Sequence, residues 1–132
     1  MTHLLDTTVC IALLRGTPDL RQRFLQMDLR DLAMCSVVRE ELVFGALRRK
    51  DGGRSLDETH GFLDRFASLP FDDRAADVCA RLRTELATQG NPIGPHDMQI
   101  AAIALAHGLT VVTHNTREFA RVRGLQIEDW EA

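Results

Sequence analysis

Asp97-Met98-Gln99-Ile100-Ala101-Ala102-Ile103-Ala104-Leu105-Ala106-His107-Gly108-Leu109-Thr110-Val111-Val112-Thr113 places an apolar helix, a glycine stop and a short β-branched strand in direct succession. The helix, opened by His96 or Asp97, is apolar nearly all round, so it belongs at the centre of a core. Gly108 ends it, and Thr110–Thr113 has strand composition. A buried helix feeding a strand is the unit of an α/β fold.

The same alternation recurs on both sides of this stretch. His3-Leu4-Leu5 reads as a first strand ending at Asp6, followed by a helix over Val9–Leu14 that Gly16-Thr17-Pro18 breaks. Asp19–Met27 is a second helix, with Leu20, Phe24 and Met27 on one face. Ala33–Val38 reads as a buried strand and Arg39–Arg49 as a helix. A turn at Asp51–Arg54 leads into a helix over Leu56–Ser68, then a weak strand at Leu69-Pro70-Phe71. A helix from Asp73 stops at Gly90, and Asn91–Pro95 is a rigid connection. After Thr113 come a short helix, Thr116–Arg121, and a last strand, Leu125–Ile127. Strands alternating with helices predict an open parallel sheet covered on both faces, with any site at the carboxyl ends of its strands.

The chain has 132 residues, a length that suits one domain over residues 1–132. Its hydrophobic fraction of 45% and charged fraction of 27% are those of an ordinary globular protein. No apolar run is long enough to cross a bilayer, and Met1–Leu5 runs straight into Asp6 without a signal segment. The expected location is the cytoplasm, with no membrane partner. Cys10, Cys35 and Cys79 are odd in number and widely spaced, which fits buried free thiols better than a zinc site or a disulfide framework. The net charge of -3 argues against binding nucleic acid by bulk charge. It leaves room for clustered acids with basic residues around them. Lys50 is the only lysine; all other basic residues are arginine, whose planar fork suits phosphate.

Asp6 follows the first strand, Glu41 lies a helical turn after the second, Asp97 opens the buried helix, and Asn115 and Glu118 follow the Thr110–Thr113 strand. All could converge at one sheet edge. Carboxylates gathered in one cleft repel unless a cation neutralises them, and oxygen ligands without histidine or cysteine favour magnesium or manganese. Such a site suits phosphodiester hydrolysis. Each residue also has a plainer reading. Asp6 and Asp97 suit helix N-caps, Glu41 beside Glu40 offsets a helix dipole, Glu118 suits a solvated face, and Asn115 a turn. The five histidines show no ligand spacing; His96 and His114 adjoin the candidate acids as cap or rim residues.

Leu4-Leu5-Asp6-Thr7-Thr8-Val9-Cys10-Ile11 resembles the opening of the VapC-type toxins of the PIN-domain family. Glu41-Leu42-Val43-Phe44-Gly45-Ala46 resembles their second acidic motif. The most specific likeness runs from Gly90 to Trp130. It takes in Ile93-Gly94-Pro95-His96-Asp97, Ile100-Ala101-Ala102, Thr113-His114-Asn115-Thr116-Arg117-Glu118-Phe119, Gly124-Leu125 and Glu128-Asp129-Trp130.

The resemblance implies an α/β/α sandwich with a short parallel central sheet. It implies a magnesium-dependent endoribonuclease, with manganese as a substitute ion, acting as the toxin of a type II toxin–antitoxin system. Within the family the chain is most similar to the branch that cleaves initiator tRNA in the anticodon loop. Asp6, Asp97 and Glu41 would hold the metal, with Glu118 as a further catalytic acid, and Thr7, Thr8, Thr113 and Asn115 would contact substrate. Asn115 stands where many relatives carry a fourth aspartate, leaving Glu118 as the nearest acid, and Thr8 stands where asparagine is common. These two departures leave open a non-catalytic relative that binds RNA or a partner. A homodimer and a VapB-type antitoxin are the implied partners, with Ile11, Leu13, Leu14, Phe24 and Leu25 either docking surface or ordinary core.

Overall fold

A computed structural model describes residues 1–90 and 92–131; of the expected connection before the buried helix, Asn91 lies outside the described residues. Five parallel strands form one sheet: β1 (His3–Leu5), β2 (Leu32–Cys35), β3 (Ala67–Leu69), β4 (Thr110–Val112) and β5 (Ile127–Glu128). Their order is β3-β2-β1-β4-β5. Among the described residues seven α-helices connect them: α1 (Thr7–Arg15), α2 (Pro18–Leu25), α3 (Ser36–Leu47), α4 (Arg54–Leu63), α5 (Asp73–Gln89), α6 (Pro95–His107) and α7 (Thr116–Phe119). This is the expected α/β architecture with a short parallel sheet.

The strand order determines where a site can form. The chain steps from β1 to β2 to β3 in one direction, then returns past β1 to β4 and β5. With right-handed crossovers, that reversal assigns α1–α4 to one face of the sheet and α5 and α6 to the other. Connections leaving β1 and β4 therefore diverge, and a crevice opens between their carboxyl ends. Helices α1 and α3 start at this edge because they leave β1 and β2. Helix α6 also starts there, because it runs the length of the sheet before feeding β4.

The core is built around α6, whose Ile100, Ala101, Ala102, Ile103 and Ala104 are wholly buried. Its alanines let α5 pack closely, and α5 answers with Ala75, Cys79, Leu82 and Leu86 at helical spacing. The three cysteines are buried free thiols, as expected. Among the described residues no helix is long and apolar enough to cross a membrane.

Several element boundaries differ from the sequence reading. The expected strand Ala33–Val38 ends at Cys35, and Ser36 begins α3. Val37 and Val38 are β-branched, but in α3 they share a buried face with Leu42 and Ala46, and that burial outweighs their weak strand preference. Helix α4 stops at Leu63, and β3 is Ala67–Leu69 rather than Leu69–Phe71, because Pro70 has no N–H for the ladder. Helix α1 starts at Thr7, two residues early, because the Asp6 side chain caps it through the Val9 N–H. Strand β5 ends on Glu128, paired with Val112. Of the apolar residues weighed as docking surface, Phe24 is core, Leu13 is half-buried, and Ile11, Leu14 and Leu25 are exposed.

Since α6 fills the centre of the core, Ile103→Ala should cost about 2–5 kcal/mol. Urea unfolding measures this; a loss well below about 1 kcal/mol would mean that α6 is not the packing centre.

Candidate active site

Asp6 stands at the carboxyl end of β1, where the strand order reverses, and is almost wholly buried. Its Oδ1 accepts the Val9 N–H at 2.9 Å and the Thr8 hydroxyl at 2.9 Å. Its Oδ2 accepts the hydroxyl of Thr113, just past β4, at 2.5 Å. Burial pushes the Asp6 carboxyl up, and these three donors pull it back in part.

From Thr113 a chain of hydrogen bonds runs to the other acids. The Asn115 N–H donates to Thr113 Oγ1 at 2.9 Å. The Asn115 amide then donates to Asp97 Oδ2 at 3.2 Å and to Glu118 Oε2 at 2.8 Å. Glu118 Oε1 accepts the Gly94 N–H. Glu41 is tied in from α3: its Oε1 accepts the Thr7 hydroxyl at 2.6 Å, and its Oε2 lies 3.1 Å from His96 Nδ1. The structure thus brings together Asp6, Glu41, Asp97 and Glu118 with Thr7, Thr8, Thr113 and Asn115. The hydroxyls of the three threonines are all engaged on the acids.

The acids shape one another's titration. Asp97 is pushed up to about 6, first by burial and then by the carboxylates of Glu118, Asp6 and Glu41. Glu118 also loses solvation, but the Gly94 N–H and the Asn115 amide outweigh that loss and hold it below its ordinary value. Among the described residues no lysine or arginine pairs with any of the four; the His96 ring is the one basic side chain within ion-pair distance of them. This donor set is all oxygen and short of positive charge, which fits a hard divalent cation.

A second cluster borders the first. His114 Nδ1 lies 3.1 Å from Asp129 Oδ2 and 3.3 Å from Glu131 Oε2. One donor atom from each falls within 4.8 Å of the others, an arrangement able to hold a metal ion. Trp130 anchors this segment. Its indole N–H donates to Glu128 at 3.0 Å, its ring lies 6.0 Å from that of His3, and the Arg23 guanidinium lies 5.8 Å from it. Sequence reasoning did not single out Asp129 and Glu131 as site acids. The available signal was their position directly after the last strand, whose carboxyl end lies at the same sheet edge.

A family model described as PIN domain matches residues 3–125. The chain is 41% identical to the tRNA(fMet)-specific endonuclease VapC of Shigella flexneri, over 98% of each protein. It superposes on the crystal structure of DNA-bound VapBC from Salmonella typhimurium with a TM-score of 0.93, at 38% identity over 98% of each chain. On VapBC2 from Rickettsia felis, bound to a DNA fragment from its promoter, the TM-score is 0.90, at 31% identity over 99% of this chain and 100% of that one.

The raised Asp97 gives a pH test with a definite sign. Its folded pKa near 6 lies above the unfolded value of about 4. The group's contribution to stability is therefore fully present below about pH 4 and lost as pH rises through 6. In chelator, Asp97→Asn should melt above the unchanged protein at pH 8, by a few degrees at most after solvent screening. At pH 4 the gap should close. Calorimetry at both values checks this, and an equal gap at both would contradict it.

Proposed function

The chain belongs to the PIN-domain family, and on that premise we propose that it is a VapC toxin ribonuclease that cleaves initiator tRNA in the anticodon loop, using magnesium. The observation that carries this reading is the convergence of Asp6, Glu41, Asp97 and Glu118, acids from four separate segments, with no arginine or lysine among the described residues paired to them. The relative named a tRNA(fMet)-specific endonuclease supports the substrate. The VapBC complexes support a VapB-type antitoxin as partner. The family resemblance implies a homodimer, and the exposed Leu25, Phe44 and Leu47 supply apolar surface for protein partners.

PIN-domain nucleases are metal-dependent. In this chain Asp6, Asp97 and Glu41 would hold the magnesium ion, which manganese could replace, and Glu118 completes the catalytic acids. A bound divalent ion supplies charge neutralisation at the scissile phosphate and a more acidic water. The protein's own part is orientation. Thr113 is wholly buried, so its role is to fix Asp6. Thr7 and His96 hold Glu41 from two sides. Asn115, in the place of a fourth aspartate, spaces Asp97 from Glu118 with its amide and lets Glu118 supply the missing charge. Thr8 is exposed and bonded to Asp6, so it is the threonine placed to meet RNA as well as its acid.

The test is cleavage of tRNA(fMet) beside bulk RNA by antitoxin-free protein, with magnesium or with chelator. The expected result is a single anticodon-loop cut that chelator abolishes and that Asp97→Asn slows by roughly a hundredfold or more. Failure of the folded protein to cut any RNA would overturn the reading in favour of a non-catalytic PIN relative.

A further inference from the structure

A groove of about 320 Å³ opens beside the acidic centre, between α1, α3 and α4. This volume is that of a small-ligand site. Ile11 and Leu14 of α1 and Leu42 of α3 line it with apolar surface, and Arg15, Arg49 and Arg54 bring one positive charge from or beside each helix. Glu41 and Glu58 line the groove as well, the first joining it to the cluster of acids and the second facing Arg54.

Gly45 sits on the groove wall in the middle of α3. Glycine weakens a helix interior relative to alanine, and a Cβ at Gly45 would meet nothing within 4 Å. Packing therefore does not require glycine at this position; the glycine keeps the groove deep. The charges point to the occupant. The chain is net negative and its centre concentrates carboxylates, so an RNA backbone needs local cations to approach. Among the described residues Arg15 and Arg49 have no ion-pair partner, and Arg54 has only Glu58 at 4.0 Å. Guanidinium groups above an apolar floor match a nucleotide, which offers a phosphate and the face of a base.

We propose that this groove is an RNA subsite, in which the base of a nucleotide next to the scissile phosphate lies on Ile11, Leu14 and Leu42 while Arg15, Arg49 and Arg54 grip its phosphates. The proposal rests on the ribonuclease reading above and adds to it the residues that place the RNA.

The experiment measures tRNA(fMet) binding by antitoxin-free protein in chelator, where no cutting occurs, across a series of salt concentrations. Arg15→Gln with Arg49→Gln should weaken binding about tenfold and lower the slope of log affinity against log salt by about 1 to 2. Gly45→Leu, which fills the groove, should weaken binding without changing that slope. Arg49→Lys should restore most of the slope. Both arginines are exposed, so their melting temperatures should stay within a few degrees of the parent; if the double variant fails to fold, Arg49→Gln alone carries the reading. Unchanged affinity and slope in folded variants, with the parent still cutting RNA, would overturn the subsite and leave the ribonuclease standing. Loss of antitoxin capture with RNA binding intact would also overturn it, by giving the groove to the antitoxin. A parent that neither binds nor cuts RNA would fail the ribonuclease reading itself.

Discussion

The Thr113 hydroxyl meets the buried Asp6 carboxylate across the gap between β1 and β4, and the rest of the site is arranged around this contact. The two residues come from opposite ends of the chain and meet because the strand order reverses between their strands. A buried carboxylate is costly unless donors surround it. Thr113, Thr8 and the Val9 N–H supply them, and they fix the carboxylate's direction at the same time. Thr113 then accepts the Asn115 N–H, which aims the Asn115 amide at Asp97 and Glu118. One hydroxyl thereby couples the end of β1 to the first turn of α6 and to α7.

Much of this was legible in the sequence, for reasons particular residues show. Helix α6 stood out because a segment apolar on every side has few places to go but a core, and Gly108, which has a positive φ, marked its end. Asp6 and Asp97 were readable as candidates because each borders a core element at a chain position that a parallel fold brings to one edge. Of their alternative readings as caps one held: Asp6 caps α1 while sitting in the acidic cluster, but Asp97 does not cap α6, which begins at Pro95 with Gly94 as its N-cap, because Pro95 needs no N–H partner in the first turn. What stayed hidden depends on contacts between distant segments. The start of α3 was obscured by Val37 and Val38, whose burial in a helix overrides a local preference for strand. The bridging amide of Asn115 carries no local pattern, and the approach of Asp129 and Glu131 to His114 was signalled only by their place directly after the last strand.

The site also shows stability yielding to chemistry. Four acids share an edge with no arginine or lysine pairing among the described residues, and burial together with the neighbouring carboxylates makes Asp97 hard to ionise. A glycine, Gly45, sits inside α3 where alanine would fit. Both features weaken the fold on its own, and both make sense where a cation and a polyanion are to be received.

Asp6, Glu41 and Asp97 are the proposed cation ligands, with Glu118 beside them, and the most direct measurement is manganese binding followed by the paramagnetic resonance of the free ion. The antitoxin-free protein should bind manganese, and Asp97→Asn and Glu41→Gln should each weaken that binding by about tenfold or more. Binding that is absent in the parent, or equally strong in both variants, would contradict the account.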